Sequence, residues 1–301
     1  MALAANLRGR SSRVPEFISS RENRWLKQFR SALAGERQRD TARPGDGEVV
    51  GVEGPHLVET ALHAGIEIST VLISESGARH LQKLGKWIPT STRLLSTSDR
   101  LFAQVAATEA PQGIAALVQP RRATFDDLVS GVPLLLVMAA VQDPGNVGTL
   151  LRTAEAFGAS GAVTCPAHLT GTADPFGPKA LRASAGSALR LPVLRGGAAP
   201  VLLAQLRVAG IRVYASAPDT AGVEGVPPAV APWQVNWRQA SALLVGNEGA
   251  GLPADLRRSS DAVVCIPQAT AREAGARVES LNAAVAGAIL LYEAARQRGL
   301  G

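Results

Sequence analysis

Short apolar runs alternate with amphipathic segments along most of the chain, and this pattern predicts strands that alternate with helices. The runs at 134–141, 242–246 and 262–267 are almost entirely apolar, which is typical of strands covered on both faces. The segment 147–158 follows the first run and spaces its apolar residues as a helix does. The pattern therefore predicts an α/β fold with a parallel sheet between layers of helices.

The segment 1–46 differs from the rest of the chain because it is polar and rich in arginine. We predict a short helix at about 21–34, with Ser19 or Ser20 as its N-cap. Two interpretations of this basic N-terminal extension stay open. It is either a solvated segment or an arm that contacts phosphate groups.

The segment 47–120 predicts a small α/β domain of its own. Strand-like runs lie at 49–54, 68–74 and 113–120, and an amphipathic helix is predicted to begin at Pro55. Strands and helices in this alternation favour a compact α/β unit.

The remaining chain is predicted to form a linker with one helical turn at 121–131 and a larger α/β domain at 132–301. A chain of 301 residues is long enough for two such domains. Its composition, 46% hydrophobic and 19% charged, supports a sizeable core and excludes a disordered chain.

Charge and cysteine content narrow the class of protein. The formal net charge of +6 is compatible with a nucleic-acid partner without proving one. Cys165 and Cys265 are far apart and the histidines are scattered, so neither a disulfide framework nor a metal site is indicated. No apolar run reaches the roughly 20 residues of a membrane span, and no secretory signal is recognised. We expect a cytoplasmic enzyme without a metal.

The first candidate motif, NVGTLLRTAEAFG at 146–158, lies at the turn DPGN that joins a strand end to a helix. We expect Asn146 to cap this helix, and Gly145 and Gly148 to let the backbone approach a ligand. Arg152 lies in the first turns of the helix. An isolated arginine on a helix is usually a solvated surface residue, but ligands of α/β sheets bind beyond the carboxyl ends of strands. Arg152 is therefore a candidate site residue.

The second motif, GNEGAGL at 246–252, follows another predicted strand and carries an acid. Its glycines expose backbone groups, which fits either a plain flexible loop or a binding loop. A pyrophosphate cradle would not favour the carboxylate of Glu248, whereas a cationic sulfonium ligand would tolerate it. The motif thus favours a cationic ligand, or a polar reaction centre that has to be oriented, over a dinucleotide.

The third motif joins CIPQ at 265–268 to a helix predicted from about Leu281. Ser280 is expected to cap this helix, with Asn282 in its first turn. The helix is apolar on several faces, so we expect it to be buried against the sheet, or against a second subunit as well.

A further helix is predicted within 174–193, begun by Pro175 or Pro178. Lys179 and Arg182 are spaced to share one of its faces. That face is either solvated or in contact with a phosphate group near the active site.

The three motifs, in this order and spacing, resemble the SpoU (TrmH) family of RNA ribose 2′-O-methyltransferases in the SPOUT superfamily. The segment TEAPQGIAALV at 108–118 resembles the end of that family's N-terminal substrate-binding domain. The resemblance implies a C-terminal parallel-sheet domain with a deep trefoil knot. It also implies a homodimer through that domain and S-adenosylmethionine as the cofactor.

The resemblance also implies roles for individual residues. The catalytic positions are Asn146, Arg152, Glu248, Ser280 and Asn282. Cofactor contacts are implied at Gly246, Ile266 and Leu281, and we extend them to Asn247, Gly249 and Gln268. The chain departs from the family at 269–279, which is longer than usual, and at Gln268, where Met is common.

The resemblance implies methylation of a ribose 2′-hydroxyl in RNA. The small N-terminal domain resembles the ribosomal RNA branch of the family more than the tRNA branch, which tends to have flanking helical extensions, so we expect large-subunit (23S) ribosomal RNA rather than tRNA. Free guanidinium is a poor base, so Arg152 is expected chiefly to stabilise the developing alkoxide and the neighbouring phosphate. The alternative role, as the base, requires desolvation and nearby positive charge that lower its pKa strongly. A non-catalytic RNA-binding protein is the alternative from another class. A nucleotide-dependent oxidoreductase should carry GxGxxG after its first strand, and this chain does not.

Overall fold

A computed structural model describes residues 13–36, 38–39, 48–218, 224–268 and 280–299. Parts of the predicted N-terminal extension 1–46, at 1–12, 37 and 40–46, and the whole of the long segment 269–279 lie outside the described residues. By their internal contacts the residues form two compact units. The first comprises the chain up to Arg121 together with Phe176–Arg190, and the second comprises Arg122–Pro175 and the chain from Leu191 onward.

The described strands include every strand predicted from the apolar runs, together with shorter ones. They are β1 (Glu16–Ile18), β2 (Gln38–Arg39), β3 (Glu48–Glu53), β4 (Glu67–Ser74), β5 (Arg93–Thr97), β6 (Ile114–Gln119), β7 (Leu134–Ala139), β8 (Gly161–Cys165), β9 (Val193–Arg195), β10 (Arg212–Ser216), β11 (Ala229–Val230), β12 (Ser241–Val245) and β13 (Ala262–Val264).

The described helices vary from one turn to four turns in length. They are α1 (Arg24–Leu33), α2 (Pro55–His63), α3 (Ala78–Leu84), α4 (Asp99–Ala103), α5 (Phe125–Leu128), α6 (Pro144–Ala156), α7 (Pro178–Ala183), α8 (Ser187–Arg190), α9 (Ala199–Val208), α10 (Ala254–Arg258) and α11 (Ala283–Gln297). None of the described helices is long and apolar enough to cross a membrane.

The first unit is built on a six-stranded mixed sheet in the order β1-β5-β4-β6-β3-β2. The strands β1, β5 and β4 run parallel, and the remaining pairs are antiparallel. Helix α1 buries Trp25, Leu26 and Phe29 among the apolar residues of this sheet. The cap predicted at Ser19 or Ser20 is wrong: α1 begins later, and the side chain of Asn23 accepts the N–H of Trp25 at 2.8 Å.

The segment Phe176–Arg190 groups with the first unit although it is distant in sequence. Its helices α7 and α8 contact β3 and α2, and there is no space for a side chain at Gly186 against Thr60. The contacts therefore divide the chain differently from the continuous 132–301 that the sequence pattern predicts. The predicted linker 121–131 carries α5, whose capping box is formed by Thr124 and Asp127.

The second unit is built on a seven-stranded sheet in the order β11-β13-β10-β12-β7-β8-β9, and every described pair in it is parallel. The strands β7 and β12 are buried along their whole length, which confirms the prediction of a parallel sheet covered on both faces. The strands β8 and β9 follow β7 toward one edge of the sheet. The strands β12, β10, β13 and β11 lie on the other side of β7, in that order. The loops after β7 and β12 therefore meet at the carboxyl edge of the sheet, where α/β proteins bind ligands.

Candidate active site

The loop after β7 ends at Asp143, which is the N-cap of α6. Its carboxylate accepts the backbone N–H of Gly145 and, at 3.3 Å, that of Asn146. The prediction that Asn146 caps this helix is wrong, because Pro144 takes the first helical position and Asp143 therefore precedes the helix. The side chain of Asn146 is consequently available for other contacts.

Glu248 joins the second motif to the first. Its carboxylate accepts the backbone N–H groups of Gln142 and Asp143, both at 3.0 Å, and the side-chain Nδ2 of Asn146 at 2.9 Å. Burial acts to raise the pKa of Glu248, but these hydrogen bonds outweigh it and hold the pKa below its ordinary value of 4.5. The carboxylate is therefore charged at neutral pH.

Asn282 joins the third motif to the other two. Its Nδ2 donates to Oδ1 of Asn146 at 3.1 Å, while its own Oδ1 caps α11 by accepting the N–H groups of Ala284 and Val285 at 2.8 and 3.2 Å. The cap expected at Ser280 is therefore wrong, and Ser280 lies exposed before the helix. A continuous chain of hydrogen bonds runs from Asn282 through Asn146 to Glu248.

Asn247 holds the second-motif loop against the end of β7. Its Nδ2 donates to the carbonyl of Ala140 at 3.0 Å and to Oε1 of Gln142 at 3.2 Å, while its Oδ1 accepts the N–H of Gly249 at 3.0 Å. Ala140 adopts a φ of +59°, a strained conformation for a residue with a side chain. The carbonyl of Ala140 thus joins the loop after β7 to the loop after β12 through Asn247. The sequence carries no recognisable signal for this role.

A cavity of about 210 Å³ lies beside this cluster in the second unit. Its wall contains all six residues predicted to contact a cofactor, Gly246, Asn247, Gly249, Ile266, Gln268 and Leu281, together with Glu248 and Ser280. A Cβ at Gly246 would lie 2.7 Å from the backbone of Gly251 and Leu252, so only glycine fits at this point. Arg257, Ser216 and Cys265 also contribute to the wall, and no motif had singled them out for this role.

The three predicted basic residues are exposed on helices. Arg152 is exposed on α6, and its side chain makes no hydrogen bond to any residue that the structure describes. It shares a helix face with Gly145 and Gly148, seven and four residues earlier. Lys179 and Arg182 are exposed on α7 and belong to the first unit.

Profiles of two known families match the chain. The SpoU rRNA Methylase family matches residues 133–292, and the MRM3-like substrate binding domain matches residues 29–116. The first match covers the three motifs of the site and the second covers most of the first unit.

Individual proteins are similar over most of their length. The 23S rRNA (guanosine(2553)-2'-O)-methyltransferase RlmP of Bacillus subtilis (strain 168) is 34% identical over 242 residues, which is 80% of this chain and 86% of the relative. The 23S rRNA (uridine(2479)-2'-O)-methyltransferase of Streptomyces viridochromogenes is 31% identical over 98% of this chain and 96% of the relative. The crystal structure of AdoMet-bound rRNA methyltransferase from Sinorhizobium meliloti superimposes with a TM-score of 0.75 at 28% identity, covering 93% of this chain and 97% of that one.

Proposed function

Because the chain belongs to the SpoU rRNA methylase family, we propose that it methylates a ribose 2′-hydroxyl of large-subunit (23S) ribosomal RNA with S-adenosylmethionine. The observation that carries this proposal is the hydrogen-bond chain from Asn282 through Asn146 to Glu248. It brings residues of three motifs that are far apart in sequence into one cluster, and Glu248 of this cluster lines the cavity. Two relatives of this chain are named as 23S rRNA 2'-O-methyltransferases.

The cavity fits S-adenosylmethionine by its chemistry. Ile266 and Leu281 offer apolar wall for a flat base, and the backbone approaches closely at Gly246. The charged carboxylate of Glu248 suits a cationic cofactor that carries no phosphate. We assign cofactor contacts to Gly246, Asn247, Gly249, Ile266, Gln268 and Leu281. The cofactor supplies an electrophilic methyl group bound to a sulfonium sulfur, which becomes a neutral thioether.

For the transfer, the ribose hydroxyl has to lose its proton, and the negative charge that develops on its oxygen has to be stabilised. The ribose hydroxyl releases its proton to solvent or to a nearby base as its oxygen forms the bond to carbon. We assign to Arg152 the stabilisation of this developing negative charge and of the neighbouring RNA phosphate. Asn146 is the polar group at the centre of the cluster, and Glu248 and Asn282 fix the orientation of its amide. Ser280 is assigned to the rim of the same site.

The test is methyl transfer with purified protein and tritiated S-adenosylmethionine, supplied separately with 23S ribosomal RNA and with total tRNA. We expect label only in the ribosomal RNA, at a position that resists alkaline cleavage, and its loss in Arg152→Ala. Arg152→Lys is also expected to lose most activity, because a point charge does not reproduce the planar fork of guanidinium. Binding of S-adenosylhomocysteine by both variants controls for folding.

The same experiment separates the alternatives. Label in tRNA alone would keep the chemistry and overturn the substrate, whereas RNA binding without transfer would favour a non-catalytic RNA-binding protein. The two relatives named above modify guanosine and uridine respectively, so the base is left to the mapping of the labelled position.

The proposal extends to assembly. Helix α11 exposes Val285, Ile289 and Tyr292 at 50%, 38% and 54% of their surface, spaced to form one apolar stripe. This stripe supports a homodimer through the second unit.

The proposal also includes a deep trefoil knot in the C-terminal part, which a crystallographic trace of the whole chain tests. The order β13-β10-β12-β7, in which the chain returns to the middle of the sheet, supports it.

We further assign 47–120 to RNA recognition and 132–301 to methyl transfer, with Lys179 and Arg182 as phosphate contacts. Ribosomal RNA as a substrate implies a cytoplasmic location, which a fluorescent fusion tests.

A further inference from the structure

The cavity wall carries a guanidinium group that has no partner in the described part of the chain. Arg257 lies on α10 and lines the cavity, yet its side chain makes no hydrogen bond or ion pair with any residue that the structure describes. Its Nε is also shielded from solvent. A buried donor without an acceptor is unfavourable, so an unpaired group of this kind requires an explanation.

The position of Arg257 is set by its helix rather than by the guanidinium itself. The neighbouring Leu256 is buried, and its carbonyl accepts the hydroxyl of Ser260 at 2.9 Å. The adjacent Arg258 instead points to the carbonyl of Glu224, to which its Nε donates at 3.3 Å. Two successive arginines therefore differ: Arg258 donates to a protein carbonyl, whereas Arg257 lines the cavity and has no partner among the described residues.

The charges of the cavity indicate what would pair with Arg257. Among the described residues of the wall, only Glu248 and Arg257 carry a charge. The carboxylate of Glu248 already accepts three hydrogen bonds, from Gln142, Asp143 and Asn146. The cavity thus retains one unsatisfied positive group, and an anionic group of the ligand would complement it.

We propose that Arg257 binds the carboxylate of the amino-acid tail of the cofactor and thereby positions it in the cavity. The inference rests on the proposed function, because it takes S-adenosylmethionine as the ligand. That carboxylate is the only anionic group of the cofactor. The sulfonium and ammonium groups are both positive, so they are placed away from Arg257 and toward Glu248. Arg257 is thus a positioning residue and takes no part in proton transfer.

The test is calorimetric binding without RNA, using two ligands that differ in the tail. S-Adenosylhomocysteine has the carboxylate, and 5′-methylthioadenosine lacks the whole amino-acid part. Arg257→Met is expected to weaken S-adenosylhomocysteine by about tenfold or more and to leave 5′-methylthioadenosine within about twofold of the wild-type value. Arg257→Lys should recover part of the loss. The matched control, Arg258→Met, removes the same charge one residue away and should change neither affinity.

Each other outcome counts against the inference. If Arg257→Met weakened both ligands equally, or neither, the pairing with the carboxylate would be overturned. Normal binding of S-adenosylhomocysteine with weakened RNA binding would assign Arg257 to an RNA phosphate instead. If the wild-type protein bound neither ligand, the proposed cofactor itself would fail, which distinguishes that failure from failure at Arg257. Thermal unfolding of each variant controls for misfolding, and Arg257→Met is expected to unfold at or above the wild-type temperature.

Discussion

The amide of Asn146 cannot be replaced by a charged group of the same shape. Its Nδ2 donates to Glu248 while its Oδ1 accepts from Asn282, so both ends of the amide are used at once. Aspartate has the same shape but cannot donate when it is charged. In that position it would place a second carboxylate against Glu248.

We therefore expect Asn146→Asp to reduce the rate of methyl transfer by about a hundredfold, because the cluster would no longer hold its geometry. Asn146→Ser keeps a donor and should retain more activity than Asn146→Asp. Single-turnover rates with saturating cofactor measure the effect. Equal rates for the two variants would contradict the assigned role of the amide donor.

Glu248 makes the stability of the protein depend on pH. Its pKa in the folded state is lowered, so folding favours the charged form. This contribution is present at pH values above the ordinary pKa of 4.5 and disappears as the pH falls through the lower folded-state value. Urea unfolding of the wild type and Glu248→Gln should show a constant gap in the free energy of unfolding above about pH 6 that narrows in acid. In an Asn146→Ala background the gap should be smaller, because one of the stabilising donors is gone.

The two cysteines should differ in reactivity. Cys165 is buried, and burial raises the pKa of its thiol to about 12, so its thiolate is scarce at pH 8. Cys265 is half-buried in the cavity wall. We expect iodoacetamide to label Cys265 in the native protein, more slowly with S-adenosylhomocysteine present, and to label Cys165 only after unfolding. Peptide mass spectrometry reads both sites, and native labelling of Cys165 at the rate of Cys265 would contradict this prediction.

At the scale of elements, the packing of α6 against α11 brings the first turns of these two helices together at the site. Their contact is close at Gly287, where a Cβ would collide with the side chain of Leu150. The first turn of each helix then lies near the other, and Asn282 reaches Asn146. Residues more than a hundred positions apart are thus placed by helix packing and by the adjacency of β7 and β12.

The opposite side of α11 gives an element-scale prediction. A glutamate in the stripe of Val285, Ile289 and Tyr292 would have to be desolvated in a dimer. We expect Ile289→Glu to sediment as a monomer where the wild type sediments as a dimer. Val208→Glu introduces the same charge at an apolar residue of α9 that is 91% exposed, and should leave the dimer intact. A wild-type monomer, or a dimer in Ile289→Glu, would refute the interface.

At the scale of the whole molecule, apolar runs predicted the sheet of the second unit and the motifs predicted its cavity wall. The caps were harder: Asp143 and Asn146, or Ser280 and Asn282, are equally good capping residues, and backbone geometry chooses between them. Arg257 belongs to no sequence motif. It is singled out only by the structure, because its buried Nε has no hydrogen-bond acceptor among the described residues. The grouping of Phe176–Arg190 depends on a distant packing partner, which local periodicity does not reveal.

The basic face of α7 gives a prediction for RNA binding by the whole chain. Replacing Lys179 and Arg182 together by glutamine should weaken binding of ribosomal RNA and reduce the slope of log affinity against log salt by about 2. The control pair Arg79→Gln and Lys83→Gln, on α3 of the same unit, removes equal charge and should leave the slope closer to that of the wild type. Filter binding at several salt concentrations measures both, and identical slopes for the two pairs would remove α7 from the RNA contacts.

The return of Phe176–Arg190 to the first unit also limits how this protein can be divided. The chain passes from one unit to the other three times, at Arg121, after Pro175 and after Arg190. A single proteolytic nick at any of these points would leave the units tethered, and a gene truncated at Arg121 would encode an incomplete first unit. The first unit therefore cannot be exchanged as its N-terminal segment alone. A chimaera that takes this unit from a relative has to include the segment corresponding to α7 and α8 as well.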